Sequence, residues 1–174
     1  MKTFRILVYI LFLGSVLVGF SQEKTKKQLR KEQKIEKQNT IQRIVEAKEF
    51  QFVARNSNSQ YFPIMDLSNN PNFIKFKPDF IQSDLPFFGR GFSGLAYGGT
   101  DAGLHFEGKP ELFTVEKNSK EYQVKVLFKS QNDYFDIKLS VTFSGMATLS
   151  INSNNRGPIS YFGEIMPIKE DKKN

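Results

Sequence analysis

The sequence predicts a mainly β fold: an antiparallel sandwich or a flattened barrel, with an N-terminal helix after a signal peptide. Three observations lead to this prediction. From Phe50 onward, aromatic and β-branched residues alternate with turn-forming Gly, Pro, Asn and Asp. Several consecutive segments each have one apolar face, which a second sheet or closure of the same sheet must cover. Residues 22–49 contain no Gly or Pro and are rich in strong helix formers.

The first 21 residues predict export. Lys2 and Arg5 precede an apolar run from Ile6 to Phe20, which is the pattern of a secretory signal peptide. The run is shorter than the roughly 20 apolar residues of a spanning helix, so cleavage after Ser21 is favoured over a retained anchor. The chain has no Cys, which excludes a lipoprotein anchor and disulfides. We therefore expect a periplasmic or extracellular protein stabilised by its hydrophobic core.

The positive charge is confined to one segment. The net charge is +7, but residues 22–45 hold eight Lys/Arg and three Glu, whereas residues 46–174 hold fifteen of each sign. A nucleic-acid-binding domain needs a basic surface of its own, so no nucleic-acid partner is predicted. The basic, helical arm at 22–49 has two interpretations: a peripheral contact of 22–45 with anionic surfaces, or a solvated spacer.

The clearest strands lie near the C-terminus. Residues 135–143 alternate apolar and polar side chains without interruption, and Ser144-Gly145 predicts a hairpin to the next alternating segment. Together with the alternation at 122–128, this predicts an antiparallel meander over 122–152. The other predicted strands are 50–55, 61–67, 73–77, 80–85, 112–117 and 159–168. The β domain is thus predicted to span 50–168, followed by a charged tail at 169–174.

The segment 85–106 is the most unusual because glycines and aromatic residues crowd it, and we interpret it as a loop. A phosphate-binding glycine loop would need a helix directly after it, and no helix pattern follows. Gly91-Phe92-Ser93-Gly94-Leu95 misses the spacing of a nucleophile elbow by one position. Neither nucleotide binding nor serine hydrolysis is predicted.

Few residues of the sequence are of the types that catalysis or metal binding needs. The chain has one His and no Cys, and outside the helix the only close carboxylate pair is Glu170-Asp171. His105 could form part of a metal site with Asp101 and Glu107, but a zinc site needs three or four ligands. We predict no catalytic residue, no cofactor and no metal.

The candidate surface combines the 85–106 loop with the turn at 154–162. In one interpretation Arg90 and Arg156 bind an anion beside aromatic rings; in the other, each arginine bonds turn carbonyls or a carboxylate such as Asp84 or Asp101. The candidate ligand or partner residues are Phe87, Phe88, Arg90, Phe92, Tyr97, Arg156 and Tyr161.

The aromatic content shapes the functional hypothesis. Residues 46–174 contain fifteen Phe and five Tyr, more than a small core usually needs, so some could line an apolar cavity. We expect a non-enzymatic envelope protein that binds an apolar or lipid-like ligand. The alternative is a structural or interaction protein whose sheet edge or helical arm docks on another envelope component.

Three segments resemble one known family. They are LPFFGR (85–90), YGGTDAGLHFEG (97–108) and SINSNNRGPISYFGEI (150–165), and together they look like the domain-of-unknown-function family 4251 of exported Bacteroidetes-type proteins. The resemblance covers about Glu46–Pro167. It implies a β-rich exported domain without established activity, and it supplies no catalytic residues. Members commonly have Tyr where this chain has Phe87 or Phe88, a change that keeps the bulk.

Overall fold

A computed structural model describes residues 25–60, 62–69, 72–92, 103–131 and 133–168. The chain divides into two units, residues 1–34 and residues 35–174. Of the first unit, the described part is 25–34, where the helix begins. The predicted signal peptide (1–21) and charged tail (169–174) lie outside the described residues.

Helix α1 runs from Lys26 to Glu46 and has a defined cap at each end. At its start, the Thr25 backbone N–H donates to Gln28 Oε1 at 2.9 Å, which is half of a capping box. At its end, Glu49 N donates to Ile44 O (2.9 Å) and Lys48 N donates to Val45 O (3.0 Å). Lys48 has a φ of 55°, so it takes the left-handed position that closes a Schellman motif.

The apolar side chains of α1 are buried only in its last turns. Ile41, Ile44 and Val45 are buried, whereas Leu29 and Ile35 are exposed. The difference follows from the sequence, in which a core-facing spacing of apolar residues appears only from Ile41 onward. In the part of the chain that the structure describes, no helix is long and apolar enough to cross a membrane.

Within the described residues, ten antiparallel strands follow and form one sheet. They are β1 (Phe50–Ser59), β2 (Met65–Asp66), β3 (Phe73–Lys77), β4 (Phe80–Leu85), β5 (Leu104–Gly108), β6 (Leu112–Lys117), β7 (Glu121–Lys129), β8 (Tyr134–Thr142), β9 (Met146–Ser153) and β10 (Ile159–Met166). Their spatial order is β5-β4-β3-β1-β10-β9-β8-β7-β6, and β2 pairs with the second half of β1. The predicted mainly β, antiparallel architecture is therefore confirmed.

The sheet of the second unit curls into a half-barrel, which fits the predicted flattened barrel. The curl is visible in its core, where Phe106 of β5 stacks on Phe128 of β7 at 5.1 Å and on Phe135 of β8 at 4.5 Å between ring centroids. These strands lie near opposite ends of the strand order. No ladder joins the two end strands within the described residues, so contacts between side chains bring the ends of the sheet together.

The predicted meander is confirmed as β7, β8 and β9. On β8, the buried residues alternate with less buried ones along the whole strand, and Leu139 is 0% exposed. The Ser144-Gly145 turn has a φ of 90° at Gly145, a conformation that favours glycine.

Three predicted segments need correction. The strand predicted at 61–67 is only Met65–Asp66; Pro63 cannot donate to a ladder, and the Asp66 carboxylate turns the chain by accepting from Ser68 N and Oγ. The loop predicted at 85–106 ends in strand β5, which pairs with β4. The strand predicted to reach Ile168 ends at Met166, because Pro167 follows.

Candidate functional site

The two segments of the predicted surface meet in the structure. Gly91 and Arg156 form an isolated antiparallel bridge. Phe92 N donates to Asn155 O at 2.7 Å, and Gly157 N donates to Arg90 O at 2.8 Å. The chain that leaves β4 is therefore bonded to the turn between β9 and β10.

The partly buried side chain of Arg156 links the β9–β10 turn to the residue before β5. Its Nη1 donates to Gly103 O at 2.7 Å, and its guanidinium carbon lies 5.5 Å from the centre of the Phe87 ring. Its Nε is buried and has no hydrogen-bond partner among the described residues. This geometry matches the interpretation in which the arginine bonds a backbone carbonyl, here at the entry to β5.

Tyr161 and Phe87 lie under the surface rather than on it. Tyr161 is 0% exposed, Phe87 is 9% exposed, and the Tyr161 hydroxyl donates to Pro86 O at 2.7 Å. Burial raises the pKa of Tyr161 above its usual value, and nearby Arg156 only partly offsets this effect. The phenol is therefore a neutral donor that anchors the start of the loop.

Three of the predicted residues reach the surface. Phe92 is 64% exposed, Phe88 is partly buried against the core, and Arg90 is exposed. Tyr97 lies outside the described residues. The residues that could meet a ligand here are thus Phe88, Arg90 and Phe92, supported from below by Phe87, Arg156 and Tyr161.

Asp133 fixes the neighbouring turns, a role that sequence reasoning missed. Its carboxylate accepts from Ser153 Oγ at 2.5 Å, Asn154 N at 3.1 Å and Asn155 N at 3.3 Å. One side chain in the β7–β8 turn therefore orders the β9–β10 turn that carries Arg156. Asp133 lies between two alternating segments of the sequence, and nothing in the local pattern indicates which distant amides it contacts.

The single histidine is paired across strands. His105 Nδ1 lies 3.0 Å from Asp84 Oδ1, and in the next row Gln82 Nε2 donates to Glu107 Oε2 at 3.3 Å. His105 and Glu107 share the outer face of the sheet, as strand alternation requires. No cluster of three or more potential metal ligands occurs within the described ranges, and Asp101 lies outside them.

Ser83 does not complete a Ser-His-Asp constellation. It is 4% exposed, and it precedes Asp84 on β4, so its side chain points to the opposite face of the sheet from His105 and Asp84. Its Oγ has no hydrogen-bond partner among the described residues. This hydroxyl is a buried polar group of the inner face and not a nucleophile beside the histidine.

A groove runs along β5, which is the end strand of the sheet among the described residues. We call it the β5 groove; it has a volume of about 480 Å³. It is lined by His105, Phe106, Glu107, Gly108, Lys109, Phe128, Lys129, Ser130 and Gln131. A second cavity of about 410 Å³ shares His105, Phe106 and Glu107 and extends over β4 and Phe73.

Known proteins resemble this chain in sequence and in fold. A family model described as "Domain of unknown function (DUF4251)" matches residues 32–165. Among solved structures, the crystal structure of a DUF4251 family protein from Bacteroides eggerthii aligns with a TM-score of 0.58 and 16% identity, covering 75% of this chain and 87% of that protein. At this identity, the likeness concerns the fold alone. No curated protein matches the sequence significantly.

Proposed function

Because the chain belongs to the DUF4251 family, whose function is unknown, we propose a function from its own geometry: it is a non-enzymatic binding domain for an extended segment of a partner chain. One observation carries the proposal. Among the described strands, β5 lies at an edge of the sheet, and the β5 groove runs along it. This corresponds to the docking alternative of the sequence analysis.

A sheet edge favours a strand as its occupant. The outer side of an edge strand presents N–H and C=O groups that a further strand can pair with, and peptide recognition by strand addition uses these groups. β5 has five residues, which corresponds to about 17 Å at roughly 3.3–3.4 Å per residue. We expect a partner segment of about five residues.

The groove lining indicates the chemistry of that segment. Lys109 and Lys129 lie in its wall together with Glu107, while Phe106 and Phe128 are almost fully buried. The small exposed part of these rings suits a small apolar side chain, and the two ammonium groups suit an acidic one. We therefore propose an extended segment in which small apolar and acidic residues alternate.

An array of acetylated hexapeptides with such alternation tests the proposal, using amide NMR shifts of residues 104–108 as the readout. The best peptide should shift the β5 amides and should lose at least tenfold in affinity when its alternate backbone nitrogens are methylated, because methylation removes the donors that strand addition needs. Lys129→Glu should weaken binding, whereas Lys125→Glu, on the same strand but outside the groove, should not.

Two outcomes would contradict the proposal. One is an array in which no peptide shifts the amides of residues 104–108. The other is equal binding of the methylated and unmethylated peptides, which would show that the backbone of the ligand is not recognised.

We further propose that the partner is an envelope component, because the first 21 residues have the pattern of a signal peptide. Cell fractionation and N-terminal sequencing of the full chain test this: we expect the protein outside the cytoplasm, beginning at Gln22. Sedimentation with anionic and neutral vesicles tests whether the basic segment 22–45 contacts membranes peripherally. Recovery of an uncleaved cytoplasmic protein would exclude an envelope partner.

A second candidate, binding of an apolar or lipid-like ligand, is favoured by Phe92. This side chain is 64% exposed and is held by the bridge to the Arg156 turn, so a large apolar group faces solvent from an ordered position. Native mass spectrometry of the purified protein should then detect a bound lipid that Phe92→Ser reduces. Phe80→Ser, at another exposed phenylalanine, is the control; a lipid-free protein would refute this candidate.

A further inference from the structure

A small notch lies between the last turns of α1 and the ends of β6, β7 and β8 that are near the β6–β7 turn, away from the β5 groove. It has a volume of about 190 Å³. We call it the helix notch; it is lined by Gln38, Asn39, Gln42, Lys117, Tyr122 and Phe143. The functional proposal above makes no use of these residues.

One wall of the helix notch consists of amide side chains. Gln38 and Gln42 are four residues apart on α1, and Asn39 lies beside them, so helical geometry places all three on one side of the helix. Each amide carries both a hydrogen-bond donor group and an acceptor. Such a wall matches ligands whose hydroxyl groups also donate and accept.

The opposite wall combines two aromatic rings with a cation. Tyr122 and Phe143 meet edge to face, 5.4 Å apart and at 84°. The Lys117 ammonium lies 5.5 Å from the Tyr122 ring centre and 5.8 Å from the Phe143 ring centre. Tyr122 is buried, whereas Phe143 is half-buried and Lys117 is exposed, so Phe143 offers an apolar ring and Lys117 a positive charge.

We infer that the helix notch binds a single sugar ring that carries a carboxylate. The hydroxyls of such a ring suit the three amides, its apolar C–H face suits the Phe143 ring, and its carboxylate suits Lys117. The volume equals that of about six water molecules at roughly 30 Å³ each and is below the roughly 300–1,000 Å³ of a pocket for a drug-sized ligand. One ring fits this space better than a chain of sugars.

NMR titration of the full chain with methyl β-D-glucuronide and methyl β-D-glucoside tests the inference. The glucuronide should shift the side-chain amide signals of Gln38, Asn39 and Gln42, with a dissociation constant of about 1 mM. The glucoside should bind several-fold more weakly. Lys117→Gln should weaken glucuronide binding by up to about fivefold, the upper end of the range of an exposed ion pair, and leave glucoside binding unchanged.

Two variants complete the test. Lys120→Gln removes a nearby exposed charge that does not line the notch and should change neither affinity. Asn39→Ala, at an exposed helix position, should weaken both sugars without lowering the melting temperature. The inference is overturned if neither sugar shifts the three amide signals, if the glucoside binds as tightly as the glucuronide, or if Lys117→Gln and Lys120→Gln behave alike.

Discussion

Tyr161 couples the loop after β4 to the strand beneath it through one buried hydroxyl, which donates to Pro86 O. Tyr161→Phe keeps the ring and removes this bond. We expect a loss of about 0.5–1.5 kcal/mol in the free energy of unfolding at neutral pH, the usual net contribution of a hydrogen bond. Urea unfolding measures it, and Tyr134→Phe, at a less buried ring, serves as the control.

The same variant should remove a pH dependence. Burial raises the pKa of Tyr161, so the folded state keeps the phenol neutral while the unfolded chain ionises it near its usual pKa of about 10. Below that pH both states bind the proton and this contribution to stability is complete. Above it only the unfolded chain loses the proton, so stability falls as the pH rises. The loss of unfolding free energy caused by Tyr161→Phe should therefore become smaller between about pH 9 and 11. A loss that does not change with pH would contradict this reasoning.

Gly163 marks the point where two backbones approach most closely. It pairs with Ala54 beside the bulge in β1, and a Cβ at this position would overlap the Val53 carbonyl oxygen. Backbone can yield only by shifting the strand, so Gly163→Ala should cost about 1–3 kcal/mol or more. Ser160→Ala, on the outer face of the same strand, should cost less than about 1 kcal/mol. Similar thermal unfolding of the two variants would show that β1 can move.

At the scale of elements, the inner and outer faces of β8 should differ in their contribution to stability. Leu139 is fully buried on the inner face, whereas Lys138 is exposed on the outer one. Leu139→Ala should lower the free energy of unfolding by about 2–5 kcal/mol, and Lys138→Ala by less than about 1 kcal/mol. Chemical denaturation measures both; equal, small effects would show that the facing of β8 is wrong.

The alternation of apolar and polar residues was sufficient to predict the long strands from the sequence. It was not sufficient to predict the short ones. β8 repeats this alternation over nine residues. The alternation therefore fixes which of its side chains point inward. β5 has the same alternation, with Leu104 and Phe106 inward, but over only five residues beside a glycine-rich segment. Its pairing with β4 depends on a partner twenty residues upstream, which no local pattern reveals. Because β5 was missed, the β5 groove was missed as well.

The candidate surface was only partly predictable for a related reason. The sequence indicated that the loop and the turn belong together, and the Gly91–Arg156 bridge joins them. The direction of each side chain follows from strand alternation, which places Ile159, Tyr161 and Gly163 on one face. The inward position of Tyr161 could therefore be predicted from the sequence. The bond from Arg156 to Gly103 was not, since it depends on how the sheet curls.

At the scale of the whole molecule, an aromatic stack joins the two ends of the sheet, between which the described strands form no ladder. Phe106→Ala removes the ring that contacts both Phe128 and Phe135. We expect a loss of about 3–5 kcal/mol in the free energy of unfolding. Amide hydrogen exchange should become faster in β5 than in β8, because β8 pairs with two strands and β5, among the described strands, only with β4. Phe80→Ala, at an exposed ring, is the control; unchanged exchange in β5 would show that the stack does not hold the edge.

The position of β10 has a consequence for how the protein folds. β10 is the last strand in sequence, yet it lies between β1 and β9 and pairs Met166 with Gln51. The other neighbours along the path of the sheet are joined by much shorter stretches of chain, the longest being those of the β1–β3 and β4–β5 pairs. The β1–β10 ladder must close the longest loop and therefore carries the largest entropic cost. The N-terminal and C-terminal strands can therefore assemble as separate halves and join only when β10 is available. A nascent chain cannot complete this sheet before β10 has left the ribosome.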